Sequence, residues 1–195
     1  MMNLATLSFN IGDTDRALEQ FHKAENEMKI YKNSVDIYEV SQMADLYQNI
    51  SNAYREQKND LDMAEKYNNK CLAIIQRVDD FLTVPLFSKN LVNYSYINGL
   101  IAQKRGNFNK ANKDLKEAAD SCRVFSKYEP LTYDSILAKI YRAHGELNIE
   151  EDKISDGIQL LENSKNIYAS LNKLEPGRYQ LAINKITEII ERNKR

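Results

Sequence analysis

Between Gly99 and Ala119 an apolar set recurs every three or four positions, the period of a helix with one buried face, yet Gly106-Asn107 interrupts it. The interruption returns at a fixed interval. Asn59 lies 47 residues before Gly106, Gly12 lies 47 before Asn59, and Asp152 lies 46 after Gly106. Gly, Asn and Asp tolerate left-handed backbone, so each of the four positions is suited to closing one helix before the next begins.

Small residues share this register. Ala17, Ala64, Ala111 and Gly157 each stand five residues past a turn, and Ala24, Cys71, Ala118 and Ser164 stand seven further on. Between them lie Phe21, Asn68, Leu115 and Leu161; at Asn68 the adjacent Tyr67 supplies the bulk. A small side chain recurring at one register marks a place where two helices approach closely. The interval is too long for a heptad and suits two helices with their connections, the pattern of a solenoid. Pro85, Pro130 and Pro176, spaced by 45 and 46 residues, each follow one periodic segment and open another. The predicted first helices run over 36–57, 86–105 and 131–150. The second helices run over 14–32, 61–80, 108–127 and 153–172, and a last helix covers 177–192.

These residues resemble the tetratricopeptide repeat. "GDTDRALEQFHKA" from Gly12 matches the second half of that repeat residue for residue, and "GNFNKANKDLKEA" does so with Leu115 for the aromatic. "YQNISNAYREQKND" from Tyr47 looks like the first half with one extra residue before the turn. The fourth unit diverges most, and the period exceeds the family's. The resemblance implies an all-α, right-handed α-solenoid: a single domain over 1–195, with hairpins at about 1–34, 35–82, 83–128 and 129–174, and a capping helix at 175–195.

The charge is balanced, 27 basic against 28 acidic residues, which gives no footprint for nucleic acid or an anionic membrane. No apolar run spans a bilayer, and the N-terminus lacks the basic and apolar regions of a signal peptide, so a cytoplasmic chain is expected. Cys71 and Cys122 form no CxxC pair and are read as reduced, buried thiols.

Nothing points to catalysis. His22, read as exposed, and His144, on a core-like face, lack partners at metal-ligand spacing. Asp13 and Asp15 are read as helix caps, and Glu150-Glu151-Asp152 as a solvated turn. No phosphate loop or nucleophile elbow occurs. The expectation is therefore a binding protein, not an enzyme, with no cofactor and no metal.

In the tetratricopeptide family the first helices line a concave groove. Carried over by register, the resemblance implies peptide-binding positions at Gln48, Asn52 and Arg55, then Asn93, Tyr96, Gln103 and Lys104, then Lys139, Arg142 and Glu146. Such a set suits an extended peptide backbone. Asn52 and Lys139 fit the carboxylate-holding pattern of chaperone-binding relatives, while Gln48, Ile97 and Ala143 stand where Lys, Asn and Arg are expected. The implied function is non-covalent binding of a protein or peptide. The alternative is the sensor domain of a peptide-responsive bacterial regulator, or a fragment of a larger signalling protein of this family. Because Met1 to Ile11 offers only half a helix, it does not cover the whole apolar face of the next one (Leu18, Phe21, Met28 and Tyr31), and Met2, Leu4, Leu7 and Phe9, together with the uncovered part of that face, are expected to form an apolar patch. It would receive a second copy or an upstream domain, unless helix 36–57 folds over to cover it.

Overall fold

The computed structural model describes residues 2–78 and 85–194. Among them are nine α-helices: α1 (Met2–Asn10), α2 (Thr14–Glu27), α3 (Ile37–Ala53), α4 (Leu61–Ile75), α5 (Pro85–Lys104), α6 (Phe108–Ser126), α7 (Pro130–Glu150), α8 (Ile154–Leu174) and α9 (Gln180–Asn193). The protein is all-α, and its helices pack mainly on their sequence neighbours. The chain divides into two compact units, Met1–Ile101 and Ala102–Arg195.

All four turn residues named from the sequence have positive φ: Gly12 at 83°, Asn59 at 52°, Gly106 at 72° and Asp152 at 59°. At three of them the C-terminal closure is the same. The N–H one residue past the turn reaches back five positions, from Asp13 to Ser8, Asn107 to Ala102 and Lys153 to Asn148, at 2.8–3.0 Å. The residue after the turn then caps the following helix. Asp13, Asp60 and Asn107 each accept from a backbone N–H three residues on.

The second turn explains the extra residue. There α3 runs into a π-helical turn, Tyr54–Lys58, and the Asp60 N–H reaches back six positions to the Tyr54 carbonyl. One residue is absorbed in a widened turn, so Ser51 keeps its place in the hairpin and donates to the Ala64 carbonyl at 2.7 Å.

In the first unit the core gathers Ala17, Phe21, Val40, Leu46, Ile50, Ile74 and Ile75, all nearly inaccessible. Buried amides add specific bonds. Asn68 donates to the Tyr94 carbonyl at 3.0 Å and to Asn98 Oδ1 at 2.8 Å, which ties α4 to α5. In the second unit Ala138, Leu161, Tyr168, Ile186 and Ile190 form the core of α7, α8 and α9, and Ser164 donates to the Ala138 carbonyl at 2.7 Å.

Three sequence expectations shift. α2 stops at Glu27 and tightens into a 3-10 turn, Met28–Tyr31, because the Ser34 N–H bonds Tyr31 and Asp36 already caps α3. The expected helix 61–80 ends as α helix at Ile75, and its residues 79 and 80 lie outside the described residues. Pro176 does not open a helix. Gly177 takes φ 86°, Tyr179 N–H is held by Asn172 Oδ1 at 3.1 Å, and α9 begins only at Gln180.

The expected N-terminal patch is also narrower. Leu18 and Phe21 are buried, and Phe9, Met28 and Tyr31 pack partly buried against a core that includes Val40 and Met43 of α3. Leu4 and Leu7 remain exposed, joined by Ile11; the Met2 side chain lies outside the described residues. No described helix is long and apolar enough to cross a membrane.

Candidate binding site

The ten positions named from the sequence fall in both units. In the first, Gln48 is buried: its Nε2 donates to the Asn90 carbonyl at 2.7 Å, and its Oε1 accepts from Asn90 Nδ2 at 3.2 Å. Gln48 thus joins α3 to α5 and offers no amide to a ligand. Arg55 is buried as well, in the π turn, where its guanidinium bonds Asn52 Oδ1 at 3.1 Å and Glu56 at 2.6 Å. Asn52, Asn93 and Tyr96 are half-buried.

In the second unit Lys104 and Lys139 are exposed. Gln103 donates to Glu150 Oε2 at 2.7 Å. Arg142 Nε and Glu146 Oε1 form an i,i+4 pair at 2.8 Å on half-exposed side chains, an arrangement that contributes a few tenths of a kcal/mol in solvent, roughly.

A feature not anticipated from the sequence lies wholly in the first unit. α2 with its 3-10 turn, α3 and α4 enclose a cleft of about 290 Å³. Four cationic side chains line it, Lys29, Lys32, Lys70 and Arg77, against one carboxylate, Glu25. The apolar part of its wall includes Met43, Tyr47 and Ile74, which are otherwise buried, with the exposed Ala73 beside them. These residues come from segments far apart in the chain. Only their convergence reveals the charge imbalance, and no local motif announces it.

Behind the cleft sits a polar and aromatic cluster. Glu25 accepts from Lys70 Nζ at 2.7 Å and from the Tyr67 hydroxyl at 2.9 Å, with His22 Nδ1 at 3.3 Å. Burial opposes charging Glu25, yet the hydrogen bonds from Lys70 and Tyr67 prevail and hold its carboxyl below the usual range. Burial, with the Glu25 hydrogen bond, pushes the Tyr67 phenol upward. Glu25 is thus a fixed anion and Tyr67 a fixed donor. Lys70 lies 4.2 Å from the Tyr67 ring centroid, and Tyr54 stacks on Tyr67. His22, expected to be exposed, is half-buried instead, with Nε2 3.0 Å from the Tyr54 hydroxyl.

In the second unit, His144 Nε2 lies 3.0 Å from Asn112 Oδ1, and the Asn112 amide donates to Glu151. Burial holds the His144 imidazole below its ordinary value, against the opposing pull of Glu151. Both cysteines are buried. Burial raises each thiol, that of Cys122 to about 12. Among the described residues no group of three or more His, Cys, Asp or Glu is placed to hold a metal ion.

No protein-family model matches the chain, and no curated protein matches it.

Proposed function

We propose that the chain is a tetratricopeptide-like repeat protein that binds a protein segment without covalent chemistry, and that its hairpins continue one another into a right-handed superhelix. The observation that carries this reading is the recurrence of a left-handed turn followed five residues later by a buried small residue. Gly12, Asn59, Gly106 and Asp152 all close a helix in the left-handed region, and five residues past each stands a buried Ala17, Ala64, Ala111 or Gly157. Repeated hairpins of this kind present a pre-formed face, so little binding energy is lost to ordering the receptor. The ligand-facing positions are those of the first helices that keep reachable polar groups: Asn52, Asn93 and Tyr96 in one unit, and Gln103, Lys104, Lys139, Arg142 and Glu146 in the other. Half-exposed amides and a tyrosine suit the main chain of an extended peptide.

The test is selection from a random peptide library on the purified chain, followed by affinity measurement. The expected result is a selected sequence class whose affinity falls about tenfold in Asn93→Ala/Tyr96→Ala, from loss of a few hydrogen bonds, with the helical circular-dichroism signal retained. A library that enriches nothing, or selected peptides indifferent to these substitutions, overturns the reading.

A further inference from the structure

We infer that the cleft of the first unit is a second binding site, one that takes an acidic peptide segment carrying an apolar residue beside its carboxylates. The site is distinct from the first-helix positions proposed above, since its cations come from the 3-10 turn and the residue after it (Lys29, Lys32) and from α4 and its C-terminal end (Lys70, Arg77).

Charge is the first argument. The whole chain carries a formal net charge of −1, yet this cleft gathers four cations against one carboxylate. Glu25 is already committed to Lys70, Tyr67 and His22. Among the described residues no carboxylate lies within ion-pair distance of Lys29, Lys32 or Arg77; Asp79 and Asp80 lie outside them. Like charges converging on a concave wall raise the local concentration of an anion.

Shape and polarity narrow the ligand. Met43, Tyr47 and Ile74 give the cleft an apolar wall, on which an aliphatic or aromatic side chain loses water-exposed area. About 290 Å³ is near the lower end for ligand sites and accommodates a side chain or two rather than a cofactor. The backbone argues against a compact phosphate. Such groups seat on the free N–H groups of helix N-termini, whereas Lys29, Lys32 and Arg77 stand past the C-terminal ends of α2 and α4, where carbonyls point outward. Long flexible cations around an apolar wall fit carboxylates spread along a peptide.

The probe is a fluorescein-labelled peptide, Asp-Glu-Leu-Phe-Glu-Asp-Leu-Asp, titrated with the full chain and read by anisotropy. The control peptide has Asn and Gln in place of the acids. Saturable binding is expected, weakening with added salt and falling about tenfold or more in Lys29→Glu/Arg77→Glu. Both side chains are exposed, so the melting temperature should hold. Lys29→Gln/Arg77→Gln is a milder variant expected to weaken binding in the same direction. Asn93→Ala/Tyr96→Ala should leave the probe affinity unchanged, which separates this site from the first-helix reading. Equal affinity for the amide control, indifference to both cleft variants, or loss only in Asn93→Ala/Tyr96→Ala overturns the cleft proposal. So does absence of peptide binding, with or without binding to phosphatidylserine vesicles or inorganic phosphate. None of these outcomes alters the library test of the first-helix positions.

Discussion

Gly145 and Gly157 meet where α7 packs on α8, and a Cβ built on either would lie 2.8 Å from the carbonyl oxygen of the other. The Gly157 Cβ would also stand 2.7 Å from Ile149 Cγ1. In an open helix interior, Gly→Ala gains about 1 kcal/mol of helix propensity. Here the obstructing atoms include backbone, which cannot rotate aside. Gly157→Ala should therefore destabilise by about 1–3 kcal/mol, the usual cost of overpacking. Urea unfolding checks it; a gain in stability would mean that the pair has room to part.

The turns allow a cleaner separation of backbone strain from packing. A Cβ at Gly106 would meet nothing within 4 Å, so the cost of Gly106→Ala comes from its φ of 72° alone. A loss of about 1 kcal/mol is expected, the ordinary penalty for an L side chain in the left-handed region. Asp152, at φ 59°, already carries that penalty. Asp152→Gly should raise the melting temperature and Asp152→Ala should lower it. The opposite order would place the cost in side-chain contacts.

The turns were legible in the sequence because few residue types tolerate left-handed backbone, so a conformational demand is written as residue identity. The same holds for Ala17, Ala64, Ala111 and Gly157, where close approach excludes bulk. The extra residue before Asn59 was visible as well, though not that a π turn absorbs it. Burial of polar groups was not legible. Gln48 and Arg55 look like surface residues by type, and the fold buries both: the partner of Gln48, Asn90, stands 42 positions away, and Arg55 is taken into the π turn that closes α3. His22 likewise looks exposed by type, yet Tyr54 and Tyr67 reach it from other segments of the chain. The cationic cleft assembles residues from 25 to 77; they fall at helical spacing within each segment (25, 29, 32; 43, 47; 70, 73, 74, 77), but only the packing of α2, α3 and α4 brings the three sets to one cleft.

The buried thiols make a prediction about reactivity. The thiolate is the reactive species, and burial raises both thiols, that of Cys122 to about 12. Cys122 also donates to the Tyr133 carbonyl at 3.2 Å. Alkylation by iodoacetamide near neutral pH should proceed only as fast as the chain opens, for both cysteines. Adding denaturant past the unfolding midpoint should release both at once. Rapid labelling of Cys122 in the native chain would contradict its burial.

Two groups should divide the pH dependence of stability between separate windows. His144 is held below its ordinary 6.5, mainly by burial. Below 6.5 the unfolded chain therefore binds this proton more readily than the folded chain does. The resulting stability is full above 6.5 and declines as pH falls through that value toward the folded one. His144→Gln, which cannot take up the proton, should flatten this part of the curve. Glu25 acts lower down. Its carboxyl is held below its ordinary 4.5 by Lys70 and Tyr67, which outweigh its burial. Its contribution is present above 4.5 and is lost as pH falls through the folded value. Glu25→Gln should lower stability at neutral pH, because Lys70 loses its partner, and should soften the acid limb without touching the region above it. Thermal melts from about pH 8 to about pH 3 on the parent chain and both variants separate the two effects. If His144→Gln leaves the slope below 6.5 unchanged, the imidazole titrates alike in both states, and its burial beside Asn112 is not what sets the acid sensitivity there.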